Sequence, residues 1–182
     1  MNLKELTWAH HQEAERQEFV KVLMSGKINP QFYAAYLWNQ HKKYDLLEAM
    51  AAVNGIWAEI PFPIHRKMKI EQDFLELWED KENPPPIVPS THEYIDHMRP
   101  IMHDRDKIMA HIYTLHMGDL SGGQMIAKRV PGSGRYYKFK QDDDFLKEHI
   151  RSKLNDNMAD EAKVCFDFAT KMFQQLGEAN QS

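Results

Sequence analysis

The 182-residue sequence contains one cysteine, Cys165, and no Cys-x-x-Cys pair. It therefore has no internal disulfide, and it lacks the paired cysteines that commonly hold zinc or an iron–sulfur cluster. No apolar run approaches the roughly 18 residues of a membrane-spanning helix. The amino terminus also lacks the apolar stretch of a signal peptide. We therefore expect a soluble, cytoplasmic protein from a reducing compartment that does not bind membranes.

A basic surplus is also missing. The formal net charge of −4 and the pI near 6.2 argue against a general nucleic-acid binder. The clearest basic segment runs from Lys128 to Lys140 and contains no acidic residue. Its cations are Lys128, Arg129, Arg135, Lys138 and Lys140. Such a run is typical either of a solvated loop or of a surface that docks an acidic protein.

Several catalytic signatures do not occur. The chain has no His-Glu-x-x-His, as zinc hydrolases would require, and no Gly-x-Ser-x-Gly nucleophile elbow. None of its histidines follows an acidic residue by three positions, which argues against a carboxylate-bridged di-iron bundle. These enzyme classes are therefore disfavoured before any candidate site is considered.

Apolar residues recur near the helical period of 3.6 through most of the chain, and no segment is typical of a strand. We therefore predict an all-α protein with one multi-helix domain over residues 1–182. The expected helices run from Leu3 to Gly26, from Pro30 to Asn54 with Asn29 as cap, from Ile64 to Glu79, from a Ser90 or Thr91 cap to Pro100, from Asp104 to Val130, from Asp142–Asp144 onward, and from Glu161 to Leu176.

The most informative segment, residues 118–124, reads Gly-Asp-Leu-Ser-Gly-Gly-Gln within one of these helices. Each glycine costs about 1 kcal/mol relative to alanine in a helix, yet the apolar pattern resumes at once with Met125 and Ile126. A helix break with a turn is one interpretation. A kinked, continuous helix fits better, because its bare backbone can approach a flat ligand such as a porphyrin. Asp119 then faces the pocket and organises water.

Ten histidines are available as ligands, although most surface histidines bind nothing. The remaining single-ligand option is heme (haem), held by one histidine on an early helix. His11 is the best candidate, since Glu15 lies one helical turn away and can orient the imidazole. His10 is the rival, and a histidine without a ligand stays an open alternative.

The sequence His11-x-x-Ala14-Glu15, followed downstream by the motif at 118–124, resembles heme oxygenase. The resemblance extends from about Leu3 to Leu176. It implies that heme b (haem b) lies between a proximal helix, with His11 as the iron ligand, and the Gly-kinked distal helix. It also implies oxidative cleavage of heme by O2 and reductant to biliverdin, with IX-alpha as the default isomer, carbon monoxide and Fe2+. Heme is then both substrate and cofactor.

The resemblance assigns further roles. Gly118, Gly122 and Gly123 form the distal helix over the heme, and Asp119 orders the water network that delivers a proton during oxygen activation. Lys4, Lys147 and Arg151 match cations that bind the heme propionates. Tyr44 matches a tyrosine near the distal water network, and Tyr113 one nearer the propionates. From the residues alone, surface charges and core tyrosines remain the alternative interpretation for these last five.

Three positions depart from the family pattern. Leu115 stands where many members carry an arginine of the distal network, Trp8 where a basic residue is common, and His116 where an aromatic residue usually precedes the glycines. The end at Ser182 without a hydrophobic tail resembles the soluble type of bacteria, algae or their viruses; a viral protein would act in the host cytoplasm. We expect a reductase system with ferredoxin docking on Lys128–Lys140, and a downstream bilin reductase as a further partner.

Two other functions stay open at this point. One is a heme-binding carrier or sensor that keeps the fold and His11 but turns nothing over. The other is a helical bundle that acts on a different small molecule, because one fold can host several chemistries. Asp119 argues against the carrier, which has no need for a distal carboxylate beside paired glycines.

Overall fold

A computed structural model describes residues 2–60, 64–140 and 142–181 of the chain, with side chains up to residue 179. Within these ranges the protein is helical and contains no strand, which confirms the all-α prediction. The helices are α1 Leu3–Leu6, α2 Trp8–Glu15, α3 Glu18–Met24, α4 Pro30–Val53, α5 Lys67–Leu77, α6 Pro89–Met98, α7 Arg105–Ile112, α8 Gly118–Ala127, α9 Asp143–Arg151 and α10 Ala159–Gln181. Short 3-10 turns lie at Ile56–Ala58, Arg99–Ile101, Arg135–Tyr137 and Asp156–Met158.

The prediction of one helix from Leu3 to Gly26 was wrong, because the segment forms three short helices. Asn2 and Glu5 form a capping box that starts α1. The Thr7 hydroxyl donates to the Leu3 carbonyl at 2.9 Å, where α1 ends. Gln17 adopts extended backbone between α2 and α3. Local polar bonds therefore divide this amphipathic stretch.

The central helix α4 follows the prediction closely. The Asn29 side chain accepts hydrogen bonds from the backbone N–H groups of Gln31 and Phe32, and Pro30 occupies the first turn. Tyr33, Leu37, Tyr44 and Leu47 of α4 are fully buried, and α5, α6 and α7 pack around this helix. Helix α4 therefore forms the centre of the hydrophobic core and carries Tyr44 into it.

Neither Ser90 nor Thr91 caps α6, which begins at Pro89 instead. Both hydroxyls bind other helices: Ser90 donates to the Phe168 carbonyl at 2.8 Å, and Thr91 donates to Asn39 Oδ1 at 2.8 Å. The capping prediction failed because tertiary partners compete for these hydroxyls. By contrast, Asp142 caps α9 as its sequence position suggests.

The distal helical segment begins at Asp104, near its predicted start, and the Asp104 side chain caps α7. Its irregularity does not lie at the glycines. A π-helical segment, Tyr113–Met117, joins α7 to α8, and α8 then runs through the glycine motif with regular helical geometry. The chain therefore changes its helical winding just before Gly118, and the widened turn aims the residues that follow.

Candidate functional site

The side chain of Asp119 lies at the centre of a buried polar cluster. The Tyr44 hydroxyl donates to Asp119 Oδ2 in a very short hydrogen bond, and the Tyr136 hydroxyl donates to Oδ1 at 3.1 Å. Asp119 comes from α8, Tyr44 from α4 and Tyr136 from the 3-10 turn at 135–137. Three separate elements therefore converge on one carboxyl group.

Further hydroxyl and amide groups extend this arrangement. The Gln40 side-chain amide donates to Tyr136 at 3.0 Å and to Tyr36 at 3.3 Å. The hydroxyls of Tyr36 and Tyr137 lie 2.7 Å apart, and those of Tyr136 and Tyr44 lie 3.2 Å apart. We call Tyr36, Gln40, Tyr44, Tyr136 and Tyr137 the distal tyrosine cluster. It holds Asp119 in a continuous hydrogen-bond network.

The electrostatics of this cluster suit proton transfer. Burial raises the pKa of Asp119 from 3.8 to about 7, although the hydrogen bonds from Tyr44 and Tyr136 and the charge of Arg66 oppose the rise. Burial also raises the pKa values of Tyr44 and Tyr136 well above their ordinary range, so both remain neutral donors. Asp119 can therefore accept and release a proton near neutral pH, as a general acid or base must.

A buried arginine fixes the turn that carries Tyr136. The Arg66 guanidinium is almost fully buried and donates to the carbonyls of Tyr136 at 3.1 Å and Lys138 at 2.8 Å. The buried carboxylate of Asp73 accepts the backbone N–H of Tyr136 at 2.8 Å. The residues at the start of α5 and on its inner face thus hold the 3-10 turn against the core. Sequence reasoning missed Arg66, Asp73 and Tyr136, because the pattern of residues 128–140 indicated only a solvated loop or a docking surface.

The structure explains two positions that depart from the family pattern, Leu115 and His116. Leu115 is a buried apolar residue and brings no charge to Asp119, whereas Arg66 places a cation close enough to lower its pKa. His116 is fully buried, with Nε2 2.8 Å from Glu48 Oε2, and its ring packs edge-on against Tyr44 at 4.8 Å. The His116–Glu48 pair therefore packs against the Tyr44 ring.

Glu48 joins this pair to the start of α5. Its carboxylate accepts the backbone N–H groups of Arg66 at 2.7 Å and Lys67 at 3.1 Å. Burial on its own would raise the pKa of Glu48, but the hydrogen bond from His116 and the backbone donors bring it below its ordinary value. Glu48 is therefore an ionised anchor between α4, α5 and the π-helical segment.

The three motif glycines face different surroundings. A Cβ atom on Gly118 would meet no atom within 4 Å, and one on Gly122 would meet only the end of the Ile126 side chain at 3.3 Å. These positions are one helical turn apart and form a bare strip on α8. A Cβ on Gly123 would lie 2.8 Å from the Tyr137 carbonyl oxygen. Gly123 is therefore needed for close packing of α8 on the turn at 135–137, and its contribution to a heme face remains a prediction.

On the proximal side, His11 lies on α2 with its ring about one-third exposed. Its Nε2 atom is 2.7 Å from Glu15 Oε1, and the ring stacks on Phe166 of α10 with centroids 5.2 Å apart. Trp8 packs edge-on against the same ring at 5.4 Å. The rival His10 points to a different partner, because its Nδ1 lies 2.9 Å from Asp167 Oδ1. Iron ligation by His11 remains a prediction.

Helix α10 links the two sides. Phe166 contacts His11, and α10 also packs against the π-helical segment Tyr113–Met117. Helix α10 therefore contacts both the proximal helix and the segment that leads into α8. The fit to a flat ligand rests on the bare strip of Gly118 and Gly122 and on an imidazole that is not enclosed by the core.

The predicted propionate cations come from two helices, α1 and α9. Lys147 of α9 lines a cleft that also contains Ser121 of α8, and Lys4 lies over the ring of Trp8 at 5.9 Å. Arg151 is 3.6 Å from Glu148 in an exposed pair. Tyr113 is partly buried at the start of the π-helical segment. The roles of these four residues in heme binding remain predictions.

The basic run is partly neutralised by its surroundings. Arg135 forms ion pairs with Asp73 at 3.2 Å and with Glu76 at 2.5 Å, although no acidic residue is near it in sequence. Arg129 donates to the Met24 carbonyl at 2.7 Å. Arg135 therefore stabilises the 3-10 turn through these pairs, while its side chain stays 39% exposed.

The geometry agrees with comparisons to known proteins. The heme oxygenase family model matches residues 1–175. The heme oxygenase of Pyropia yezoensis is 30% identical over 98% of this chain and 85% of its own length. Heme oxygenase 2 of Macaca fascicularis is 27% identical over 99% of the chain, which spans 66% of that relative.

The crystal structure of heme oxygenase-1 from Synechocystis in complex with heme superposes with a TM-score of 0.84 and 26% identity, over 98% of this chain and 94% of the other. Among the described residues, no helix is both long and apolar enough to cross a membrane. The match along nearly the whole sequence and the shared fold place this chain in the heme oxygenase family.

Proposed function

We propose that this chain is a cytoplasmic, single-domain heme oxygenase that cleaves heme with O2 and reductant to biliverdin IX-alpha, carbon monoxide and Fe2+. The observation that carries the proposal is the buried carboxyl group of Asp119, whose pKa is about 7, one residue from a glycine with open space beside it. A buried carboxyl group with a pKa near neutral pH destabilises the fold and brings no benefit to a simple binding protein, but it is useful for proton transfer.

The chain's own residues suit the binding of heme. His11 would ligate the iron, with Glu15 and Phe166 fixing the orientation of the ring. Gly118 and Gly122 would admit the flat face of the porphyrin, since side chains there would occupy the open space. Lys4, Lys147 and Arg151 would bind the propionates, and Tyr113 would lie near them. Bound heme supplies the iron centre for O2 reduction and the carbon that is oxidised.

Proton delivery is the chemical task of the distal side. Asp119 holds a proton at one carboxyl oxygen while Tyr44 and Tyr136 donate hydrogen bonds to the group. These neutral donors keep the carboxyl in one orientation and stabilise its ionised form after the proton leaves. Asp119 can then release its proton into the heme pocket, and no secondary-structure element has to move.

A soluble ferredoxin, reduced by its own reductase, is the proposed electron donor. The cations left for such an acidic partner are Lys128, Arg129, Lys138 and Lys140, because Arg135 is paired internally. Reversal of Lys128 and Lys140 to glutamate should slow turnover and weaken its dependence on ionic strength. Equal rates and equal salt dependence for the variant and the wild type would exclude this surface. A bilin reductase is the proposed consumer of the product.

The decisive experiment is an aerobic visible-absorption time course. Protein loaded with hemin receives ferredoxin, its reductase and NADPH, with catalase present to remove free peroxide. Loss of the Soret band together with growth of a biliverdin spectrum supports the proposal, and chromatography identifies the isomer. A Soret band that persists with this donor and with a second one would identify a heme carrier or sensor. Failure to bind hemin stoichiometrically would indicate a different small-molecule substrate.

A further inference from the structure

A second polar cluster lies where α6, α7 and α10 meet. His97 Nε2 is 2.6 Å from Glu161 Oε1, and His111 Nε2 is 2.8 Å from the same oxygen. One ligand atom from each residue lies within 4.8 Å of the others. Among the residues that the structure describes, no other group of three histidine, cysteine or carboxylate side chains has this arrangement. Heme binding, as proposed above, does not use it.

The donor atoms of this cluster, two imidazole nitrogens and a carboxylate oxygen, are ones that zinc-type cations take in proteins. In this cluster both histidines approach a single carboxylate oxygen, Glu161 Oε1, through their Nε2 atoms. An ionised carboxylate and a neutral imidazole are the forms that bind metal ions.

The surroundings also resemble those of a metal site. The second nitrogen of His111, Nδ1, lies 3.0 Å from the Tyr94 hydroxyl, which fixes the orientation of the ring. His111 is fully buried, whereas the His97 side chain is 29% exposed. The cluster is therefore rigid on its inner side and accessible to solvent on its outer side.

We propose that His97, His111 and Glu161 form a binding site for a divalent ion of the zinc type, with water completing the coordination on the side of His97. Two imidazoles and one carboxylate are a common ligand set for zinc with an open fourth position. Metal–ligand bonds of about 2.0–2.1 Å in tetrahedral geometry place ligand atoms roughly 3.3 Å apart. The present separations of 2.6 and 2.8 Å need to open by only about half an ångström.

The test is a Zn2+ titration of the heme-free protein in competition with a chromophoric chelator. We expect one tight equivalent of Zn2+, and Co2+ in its place should give the visible bands of a tetrahedral site. Because the ion would join three helices, a hundredfold excess over its Kd should raise the Tm by about 5–10 °C. Absence of a tight equivalent in the wild-type protein would overturn the proposal, leaving a hydrogen-bonded His–Glu–His cluster.

Variants separate this site from other histidines. His97→Ala should abolish the tight equivalent and the Tm shift, whereas His92→Ala, an exposed histidine of the same helix, should preserve both. His11→Ala should also preserve them, which distinguishes the site from the proposed heme ligand. If His97→Ala does not fold, His97→Gln provides the same comparison with a polar side chain. Equal Zn2+ affinity in the His97 and His92 variants would contradict the assignment.

Discussion

The distal and proximal sides of this protein are built in opposite ways. On the distal side, Asp119 is enclosed by tyrosine hydroxyls that come from α4 and from the turn at 135–137. On the proximal side, the His11 ring is partly exposed on α2, a helix of eight residues, and its polar partner Glu15 is exposed on the same helix. One side is fixed by tertiary contacts, and the other depends largely on local ones.

This difference indicates which side of the site is ordered before heme binds. The distal network is complete without a ligand, so substrate binding need not organise it. His11 is held by one hydrogen bond and two ring contacts. We therefore expect heme binding to order α2 further. Substitutions on the distal side should therefore alter chemistry and stability, whereas those on the proximal side should alter mainly binding.

The largest expected effect is that of Asp119→Ala on turnover. Loss of a positioned general acid should reduce biliverdin formation by about 10²–10⁴-fold. Hemin affinity should stay within about threefold of the wild type, because His11 and the open strip of α8 are untouched. Steady-state turnover and a hemin titration measure the two quantities. A normal rate of biliverdin formation would show that Asp119 does not deliver the proton.

Asp119 should also make stability depend on pH. The folded state holds this proton more tightly than the unfolded chain, with a pKa of about 7 against 3.8. Stability is therefore lost as the pH rises from about 4 to 7, by at most about 4 kcal/mol from this group. Asp119→Asn removes the titration, so its unfolding free energy relative to the wild type should rise between pH 5 and 8. Urea unfolding at both pH values measures the change, and a constant difference would contradict it.

Removal of the Arg66 side chain should have the next largest effect. Arg66→Met leaves buried carbonyls without donors and should destabilise the fold by about 2–4 kcal/mol. Since the turn carrying Tyr136 loosens, turnover should fall as well. Arg129→Met provides the control, because Arg129 donates to a single exposed carbonyl. Urea unfolding that gives similar losses for both variants would contradict the special role of Arg66.

The smallest effect should come from the proximal carboxylate. Glu15→Gln keeps the shape of the side chain but weakens the hydrogen bond to His11, so we expect about a tenfold loss of hemin affinity. The unfolding free energy of the heme-free protein should change by less than about 0.5 kcal/mol, since both groups are exposed. Glu13→Gln on the same helix serves as the control. Equal hemin affinity in the Glu15 and Glu13 variants would show that Glu15 does not contribute to heme binding.

The sequence predicts features that depend on neighbouring residues and fails where distant residues compete. Asn29 caps α4 as expected, and helices begin at Asp104 and Asp142 near their predicted starts, because a helix start depends on the next few residues. Ser90 and Thr91 do not cap α6, since their hydroxyls find partners on other helices. Residues 118–124 identified the distal helix, but their spacing could not reveal that Gly123 packs on Tyr137.

The partners of Asp119 illustrate the same limit. Tyr44 was identified only through the family resemblance, and Tyr136 was missed, because it lies 17 residues further along the chain, in a loop. Its neighbours are basic and suggest a surface segment. The loop packs against the core because the buried guanidinium of Arg66, from another part of the chain, donates to the Tyr136 carbonyl.

The π-helical segment at Tyr113–Met117 sets the rotation of α8, and with it the direction of the Asp119 side chain. A π-type turn contains one residue more than an α-helical turn, and each residue of an α-helix advances by about 100°. Relative to a regular continuation of α7, α8 is therefore rotated by more than a quarter of a turn. Deleting one residue from the segment would turn Asp119 away from Tyr44 even though every catalytic side chain remained. The length of this segment is thus as important to the distal site as the identity of its residues.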